Sequence, residues 1–337
     1  MPWRFLRVPW ALLSAVFSVQ RSLPSVDPMK SIIVREPGDP NVLEIADLPL
    51  PEPGPHQVRI KVAASALNPI DLSARAGRLT AAGLMPPMPQ YGLGWDVAGH
   101  VDAIGSGTVR FQPGDAVIGL RDLLFAGGAQ AEYVVLDESA VAPAPTSVPL
   151  TAAATLPLNG LTADRALDLA GLAPGQTLLV TGASGGVGGF AVQLAATRGL
   201  RTLALARPHD ANRVRALGAE VVTSSDELGA AVRRIVPGGV DAVIDAAILG
   251  ITAHQALRGA GTFVALVAPF APPPIRGTRV VVQEVFADGN RLAELSKLVD
   301  DGALTLRVAR AFPLDQAREA HELLEAGGVG GRIILTP

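Results

Sequence analysis

The run Thr181–Ala195, TGASGGVGGFAVQLA, carries the most legible chemistry in this chain. It sets glycines directly behind an apolar stretch and then turns helical in period. Backbone N–H groups at a helix start lack intrahelical partners and lie at the positive end of the helix dipole, so such a turn attracts an anion. The spacing is Ala183-x-Gly185-x-x-Gly188, with alanine at the first glycine position of a dinucleotide fingerprint. Ala183, Ser184, Gly185, Gly186, Val187 and Gly188 are therefore the candidate phosphate contacts.

The kind of phosphate is read from the next strand. A site for NAD carries an acid about 20 residues on, where it holds the ribose 2′-hydroxyl. From Ala183 to His209 there is no Asp or Glu, and Arg207 stands at the end of the strand RTLALA with Arg213 nearby. A guanidinium there suits a 2′-phosphate by charge-assisted hydrogen bonds, so the expectation is NADPH. The alternative is that Arg207 is a solvated surface charge. The chain has no cysteine, which excludes disulfides and thiolate zinc ligation. His56, His100, His209, His254 and His321 are scattered without metal-ligand spacing and read as surface or packing residues. No metal site is expected.

The elements that must hold these residues follow from pattern. At 337 residues, 49% of them apolar and with a formal charge of −3, the chain has room for a large core and no basic surplus for nucleic acid. Residues 1–28 stand apart: Arg4, Arg7 and Arg21 flank an uncharged run from Val8 to Gln20. That run is short of the roughly 20 apolar residues a bilayer span needs. It reads as a disordered or wrongly assigned extension, with a targeting segment or a structured element as alternatives. From Lys30 to about 150 short β-favouring runs dominate; HQVRIKVAASAL alternates as a half-buried strand does. From 151 to 283 apolar strands alternate with helices: TLLVTGA, GVGGFAVQLAATRG, RTLALA, NRVRALG, EVVTS, ELGAAVRRIV, GVDAVIDAA, ITAHQALRG and GTFVALVA. Strands apolar on both sides imply a parallel sheet covered on both faces, a doubly wound α/β domain. Two amphipathic helices and the strand GRIILTP close the chain, and this tail, 284–337, is expected to return to the first domain.

Several collinear motifs together carry a resemblance from Met29 to Pro337: ALNPIDLSARAG (66–77), GWDVAGHVDAIGSGTVRFQPGDAVIG (94–119), GGAQAEYVVL (127–136), AAATLPLNGLTADRAL (152–167), GQTLLVTGASGGVGGFAVQLA (175–195), ALGAE (216–220) and GGRIIL (330–335). The chain resembles a zinc-free medium-chain dehydrogenase/reductase of the quinone oxidoreductase (zeta-crystallin-like) branch. The resemblance implies a β-rich GroES-like domain, 30–150 plus 284–337, clasping a Rossmann domain, 151–283. It implies substrate and nicotinamide meeting in the cleft between them, a homodimer or homotetramer, and a cytoplasmic location without stable membrane insertion. Zinc-dependent relatives carry Gly-His-Glu where this chain has Gly94-Trp95-Asp96. Asn68 resembles the family's cleft asparagine, implying an amide N–H for the developing substrate oxygen; shaping the Pro69 turn is the other role open to it, with Asp71 capping the helix beyond. Thr162 is taken as a cofactor contact on the same grounds. Leu79 stands where many members have a pocket tyrosine, leaving Tyr91 or solvent as proton source, and Leu123, Leu124 and Phe125 as an apolar pocket lining. Asp115 and Asp245 read as turn and strand-end residues.

The implied reaction is metal-independent hydride transfer from NADPH to a quinone or to an alkene conjugated to a carbonyl. An enoyl-thioester reductase is a rival within the same chemistry. An NADPH-binding sensor or scaffold with little turnover is a rival outside it.

Overall fold

The computed structural model describes residues 28–122, 127–223 and 226–337. The leader expectation for residues 1–27 and the pocket residues Leu123, Leu124 and Phe125 lie outside them. The first part is β1 (Pro28–Val34), β2 (Glu44–Pro49), β3 (Gln57–Leu67), α1 (Pro69–Arg75), α2 (Arg78–Ala81), β4 (Tyr91–Gly92), β5 (Asp96–Ile104), β6 (Ala116–Leu120), β7 (Tyr133–Asp137) and β8 (Val141–Pro143). Helices α3 (Leu150–Ala153) and α4 (Pro157–Ala170) then lead into an alternating series. This is β9 (Thr177–Thr181), α5 (Gly186–Thr197), β10 (Arg201–Leu205), α6 (Ala211–Ala216), β11 (Glu220–Val222), α7 (Leu228–Ile235), β12 (Val240–Asp245), α8 (Ile251–His254), β13 (Leu257–Ala265) and β14 (Arg279–Val282). The tail is α9 (Gly289–Asp300), β15 (Val308–Pro313), α10 (Ala317–Ala326) and β16 (Arg332–Thr336).

Strands β9–β14 form one six-stranded parallel sheet in the order β11-β10-β9-β12-β13-β14. Numbered within the sheet, that is 3-2-1-4-5-6, and the strand order reverses between β9 and β12. The crevice beyond the carboxyl ends of those two strands is where such sheets bind ligands. The order results from apolar strands: Leu178, Leu179 and Val180 of β9 are fully buried, as are Val243 and Ile244 of β12. One element departs from its pattern. ITAHQALRG reads as a helix, yet α8 stops at His254 and Leu257 already pairs with Val240. Ala260, at φ 56°, then turns the chain within GAG before Thr262 resumes pairing with Ala242. Sheet pairing thus overrides local helical period.

A mixed seven-stranded sheet holds the other half, with β16 of the tail antiparallel to β3 and parallel to β15. The two sheets share α4, which packs on α5, β12 and β13 on one side and on β5, β6 and α9 on the other. Apolar positions surround most of α4, as expected of a helix buried between layers. Its one buried acid, Asp164, is held by Arg198 at the C-terminal cap of α5 at 2.6 Å and Arg291 of α9 at 2.5 Å, tying three helices at one point.

A second buried knot makes a prediction. Arg75 of α1 is almost wholly enclosed; it donates to the Gly38 carbonyl at 3.1 Å and to Nδ1 of buried His321 on α10 at 3.1 Å, and it also meets Glu325. Accepting at Nδ1 requires a neutral imidazole. Burial, reinforced by the Arg75 charge, pushes the His321 pKa down to about 3. The unfolded chain therefore takes up a proton from about pH 6.5 downward that the folded chain refuses, so stability is lost as pH falls through that window. Equilibrium unfolding between pH 6.5 and 4 should be shallower in His321→Gln by up to about 1.4 kcal/mol per pH unit. An unchanged slope contradicts the assignment.

Candidate active site

The glycine turn follows β9 directly, at the reversal of the parallel sheet. Gly182 takes φ 61°, and its backbone lies so near Ala246 and Ala247 that a side chain would meet them at 3.1 Å. Asp245, at the end of β12, accepts from the Thr181 hydroxyl at 2.6 Å and from the Gly250 N–H at 2.7 Å, fixing the two strand ends together. Gly185 caps α5 in an extended conformation, with no side-chain cap, so the first N–H groups of the helix are left for a ligand. Gly188 packs beneath: a Cβ there would stand 2.3 Å from the Gly182 carbonyl oxygen.

Beside that helix start is a groove lined by Ser184, Gly185, Gly186, Arg213, Arg307 and Arg332, among others. Arg213, from α6, donates to the Ser184 carbonyl at 3.3 Å and to Asp210 at 2.7 Å. Arg307 and Arg332 come from the tail. A Cβ on Gly186 would lie 3.0 Å from Nη1 of Arg332 and 2.5 Å from Oδ1 of Asn159, so only glycine allows this approach. Three cations thus meet an uncapped helix start, a donor set suited to the phosphates of a dinucleotide. These residues fit a dinucleotide.

Of the residues singled out from sequence, Ser184, Gly185, Gly186 and Arg213 line the groove. Ala183 is buried under it, its N–H donated to Leu205, and Val187 packs into the core. Arg207 is exposed at the start of the turn after β10, and its side chain makes no hydrogen bond or ion pair with the described residues. Thr162 is buried in α4 and does not line the groove; Thr155 does, and Asn159 abuts Gly186.

Asn68 departs from the donor role. It is 1% exposed, and both amide hydrogens are spent, on the Ala66 carbonyl at 3.1 Å and on Asp96 at 2.8 Å. Its oxygen accepts from Asn159 at 2.9 Å and from Arg332. Asp96 also accepts the Leu158 N–H at the start of α4, at 2.6 Å, so one carboxylate links β5 to α4 while Asn68 links both to the tail. Asp71 accepts from the N–H groups of Asn68 and Gly94, each at 2.8 Å, and from Gln130 at 3.2 Å. Tyr91 is likewise committed: its hydroxyl donates to the Ala74 carbonyl at 2.9 Å in the core, which removes it as a cleft phenol.

This cluster is electrostatically tight. Burial raises Asp71 to about 7, helped by the Asp96 charge and opposed by the two N–H donors and Arg332. Burial raises Asp96 to about 6, opposed by Leu158, Asn68 and Arg332. Each carboxyl therefore opposes folding increasingly as pH rises from the ordinary carboxylate range through its shifted value. Arg332 is the tail's answer to both charges; its Nε is enclosed without a partner among the described residues. Arg121, lying over the Trp95 ring, also faces Asp71, and burial lowers it to about 10.

The reading from sequence missed Arg332, Arg307, Asn159 and Asp210. Arg332 lies in the quoted GGRIIL, but nothing local says that it crosses to the glycine turn. Asp210 follows His209 directly, one residue past the acid-free stretch.

Residues 54–146 match the GroES-like domain of alcohol dehydrogenases, and residues 217–335 match the zinc-binding dehydrogenase family. The NADPH-dependent alkenal/one oxidoreductase of Arabidopsis thaliana chloroplasts is 29% identical, over 99% of this chain and 86% of its own. Human quinone oxidoreductase is 30% identical, over 91% of this chain and 97% of its own. The solved quinone oxidoreductase of Coxiella burnetii superposes with a TM-score of 0.82 at 32% identity, covering 92% of this chain and 99% of that one. Among the described residues the zinc in the second family description finds no fitting donors. The chain has no cysteine, and among the described residues no group of three His, Asp or Glu is placed to hold a metal. Nor, among the described residues, is any helix long and apolar enough to cross a membrane.

Proposed function

The chain belongs to the medium-chain dehydrogenase/reductase family, in its quinone oxidoreductase branch, and from that premise we propose that it is an NADPH-dependent reductase of quinones or α,β-unsaturated carbonyl compounds. The observation that carries this reading is the meeting of the α5 start with Arg213, Arg307 and Arg332 at the reversal point of the parallel sheet. NADPH, when bound, supplies a hydride. The Gly185–Gly186 backbone and Arg332 hold its pyrophosphate, and Arg207 with Arg213 takes the 2′-phosphate. The Arabidopsis relative named for NADPH supports that choice over NADH.

Asn68 acts in this reading as a positioning residue. It holds Asp96, Asn159 and Arg332 in one arrangement, so the cleft wall and the phosphate clamp are set together. With Leu79 and Tyr91 both in the core, the proton that completes reduction comes from water. Such an enzyme works by orientation and preset hydrogen bonds. The test uses NADPH deuterated at the transferring position and an alkenal. The label belongs on the β-carbon, and in D2O a solvent deuteron on the α-carbon. Label on the carbonyl carbon, giving an alcohol, contradicts the reading.

The reading extends to a homodimer. Strand β14 is one edge of the parallel sheet; its Val282 is 39% exposed and Ile275, just before it, 44%. An uncovered apolar edge invites pairing with a second copy. Light scattering should give twice the 34.7 kDa chain mass, and a monomer at micromolar concentration contradicts it.

A further inference from the structure

Against Arg213, which lines the groove, stands an acid that the cofactor reading leaves unused. Asp210 closes the short turn Pro208–Asp210 that follows β10, immediately before α6. Its carboxylate lies 2.7 Å from Nη2 of Arg213, the same nitrogen that donates to the Ser184 carbonyl in the glycine turn at 3.3 Å. The Asp210 side chain is 16% exposed and that of Arg213 is 30%, so the pair is partly screened from solvent. Burial pushes the Asp210 carboxyl up, but Arg213, the facing Ser184 hydroxyl and His209 outweigh it and hold the group below the ordinary carboxylate range. Across the groove, Arg307 registers the same arrangement: burial and the Arg213 charge lower its pKa while Asp210 raises it. A fixed negative charge is therefore paired with one of the cations that line the groove and felt by a second.

The consequence differs for the two nicotinamide dinucleotides. A 2′-phosphate brings a near-dianion to this corner, where Asp210 repels it and has already drawn off the Arg213 charge. A 2′-hydroxyl brings a donor, for which a carboxylate is the natural acceptor. Arg207, three positions earlier and exposed, attracts the phosphate without such opposition. We propose that Asp210 is a specificity-determining residue, which limits the preference for NADPH and lets the enzyme accept NADH as well. The proposal rests on the reading that this groove holds a nicotinamide dinucleotide.

Asp210→Asn keeps the shape, removes the charge and releases Arg213 to the phosphate. The ratio of kcat/KM for NADPH over NADH should rise about tenfold, through a lower KM for NADPH and a higher one for NADH. Asp210→Ala should move the ratio the same way. Calorimetric titration with NADP+ and NAD+ gives the same comparison independently of any acceptor, and thermal melting of each variant reports folding separately. A ratio that stays level or falls in both variants overturns the proposal. Arg207→Glu examines the reading beneath it: loss of NADPH affinity supports that reading, whereas no change there with a raised ratio in Asp210→Asn leaves Asp210 as the determinant and removes Arg207. Failure of the unaltered protein to bind either nucleotide defeats both.

Discussion

Gly188→Ala should raise the NADPH dissociation constant about 100-fold while the protein still folds. The added Cβ would stand 2.3 Å from the Gly182 carbonyl oxygen, 2.7 Å from the Gly182 carbonyl carbon and 2.9 Å from the Ala183 Cα. All three are backbone atoms, so no rotamer change relieves the overlap, and the turn must move away from α5. The helix start then no longer faces the groove in the same direction, and its N–H groups lose their aim at the phosphate. Core residues pack on both faces of β9, so the shift is felt by the fold as well, at about 1–3 kcal/mol. Cofactor fluorescence titration and circular dichroism together check this result. Unchanged affinity in a folded variant would mean that the turn does not hold the cofactor.

Arg332→Met should produce the second largest effect, on two readouts at once. Its guanidinium donates to the Leu67 carbonyl at 2.7 Å and to Asn68, faces Asp71 and Asp96, and lines the groove at the α5 start. Loss of one charge-assisted contact to a phosphate corresponds to a cofactor dissociation constant raised about 30-fold. Loss of the cation also leaves two buried carboxyls less compensated, at a cost of about 3 kcal/mol. The sign of its pH dependence follows from their raised pKa values. Above about 7 both are ionised and feel the missing cation fully; near pH 5 both are largely protonated and the deficit shrinks. Arg332→Lys should restore much of the cofactor affinity but little of the stability, because an ammonium cannot reproduce the planar fork. A deficit that grows as pH falls would contradict the cluster's electrostatics.

The layered architecture was legible because its signals are local. Apolar strands such as Leu178–Val180 separated by small-residue helices imply a covered parallel sheet, and the fingerprint glycines announce where its ligand end lies. The extent of α8 was not legible, since the pairing of Leu257 with Val240 is a tertiary choice. The site divides in the same way. Ser184, Gly185 and Gly186 are contiguous and readable as a turn, whereas the partners of Asn68 lie 28, 91 and 264 residues away in Asp96, Asn159 and Arg332. No periodicity reports such distant meetings. That is why sequence leaves Asn68 open between a donor to substrate and a residue shaping the Pro69 turn, while the fold commits its amide to the cluster. Asp210 illustrates a narrower limit: an arginine at a strand end signals a phosphate only if the next acid does not fold back onto its neighbour.

The central claim is that this groove serves reduction of activated double bonds or quinones. The direct measurement mixes the purified protein with NADPH and, in turn, benzoquinone, an alkenal, crotonyl-CoA and a saturated aldehyde, following NADPH absorbance. Rapid oxidation with benzoquinone or the alkenal, and none with the saturated aldehyde, is the predicted result. Crotonyl-CoA as the sole acceptor would instead point to a thioester reductase. Tight NADPH binding with no oxidation by any of the four would contradict the enzymatic account itself.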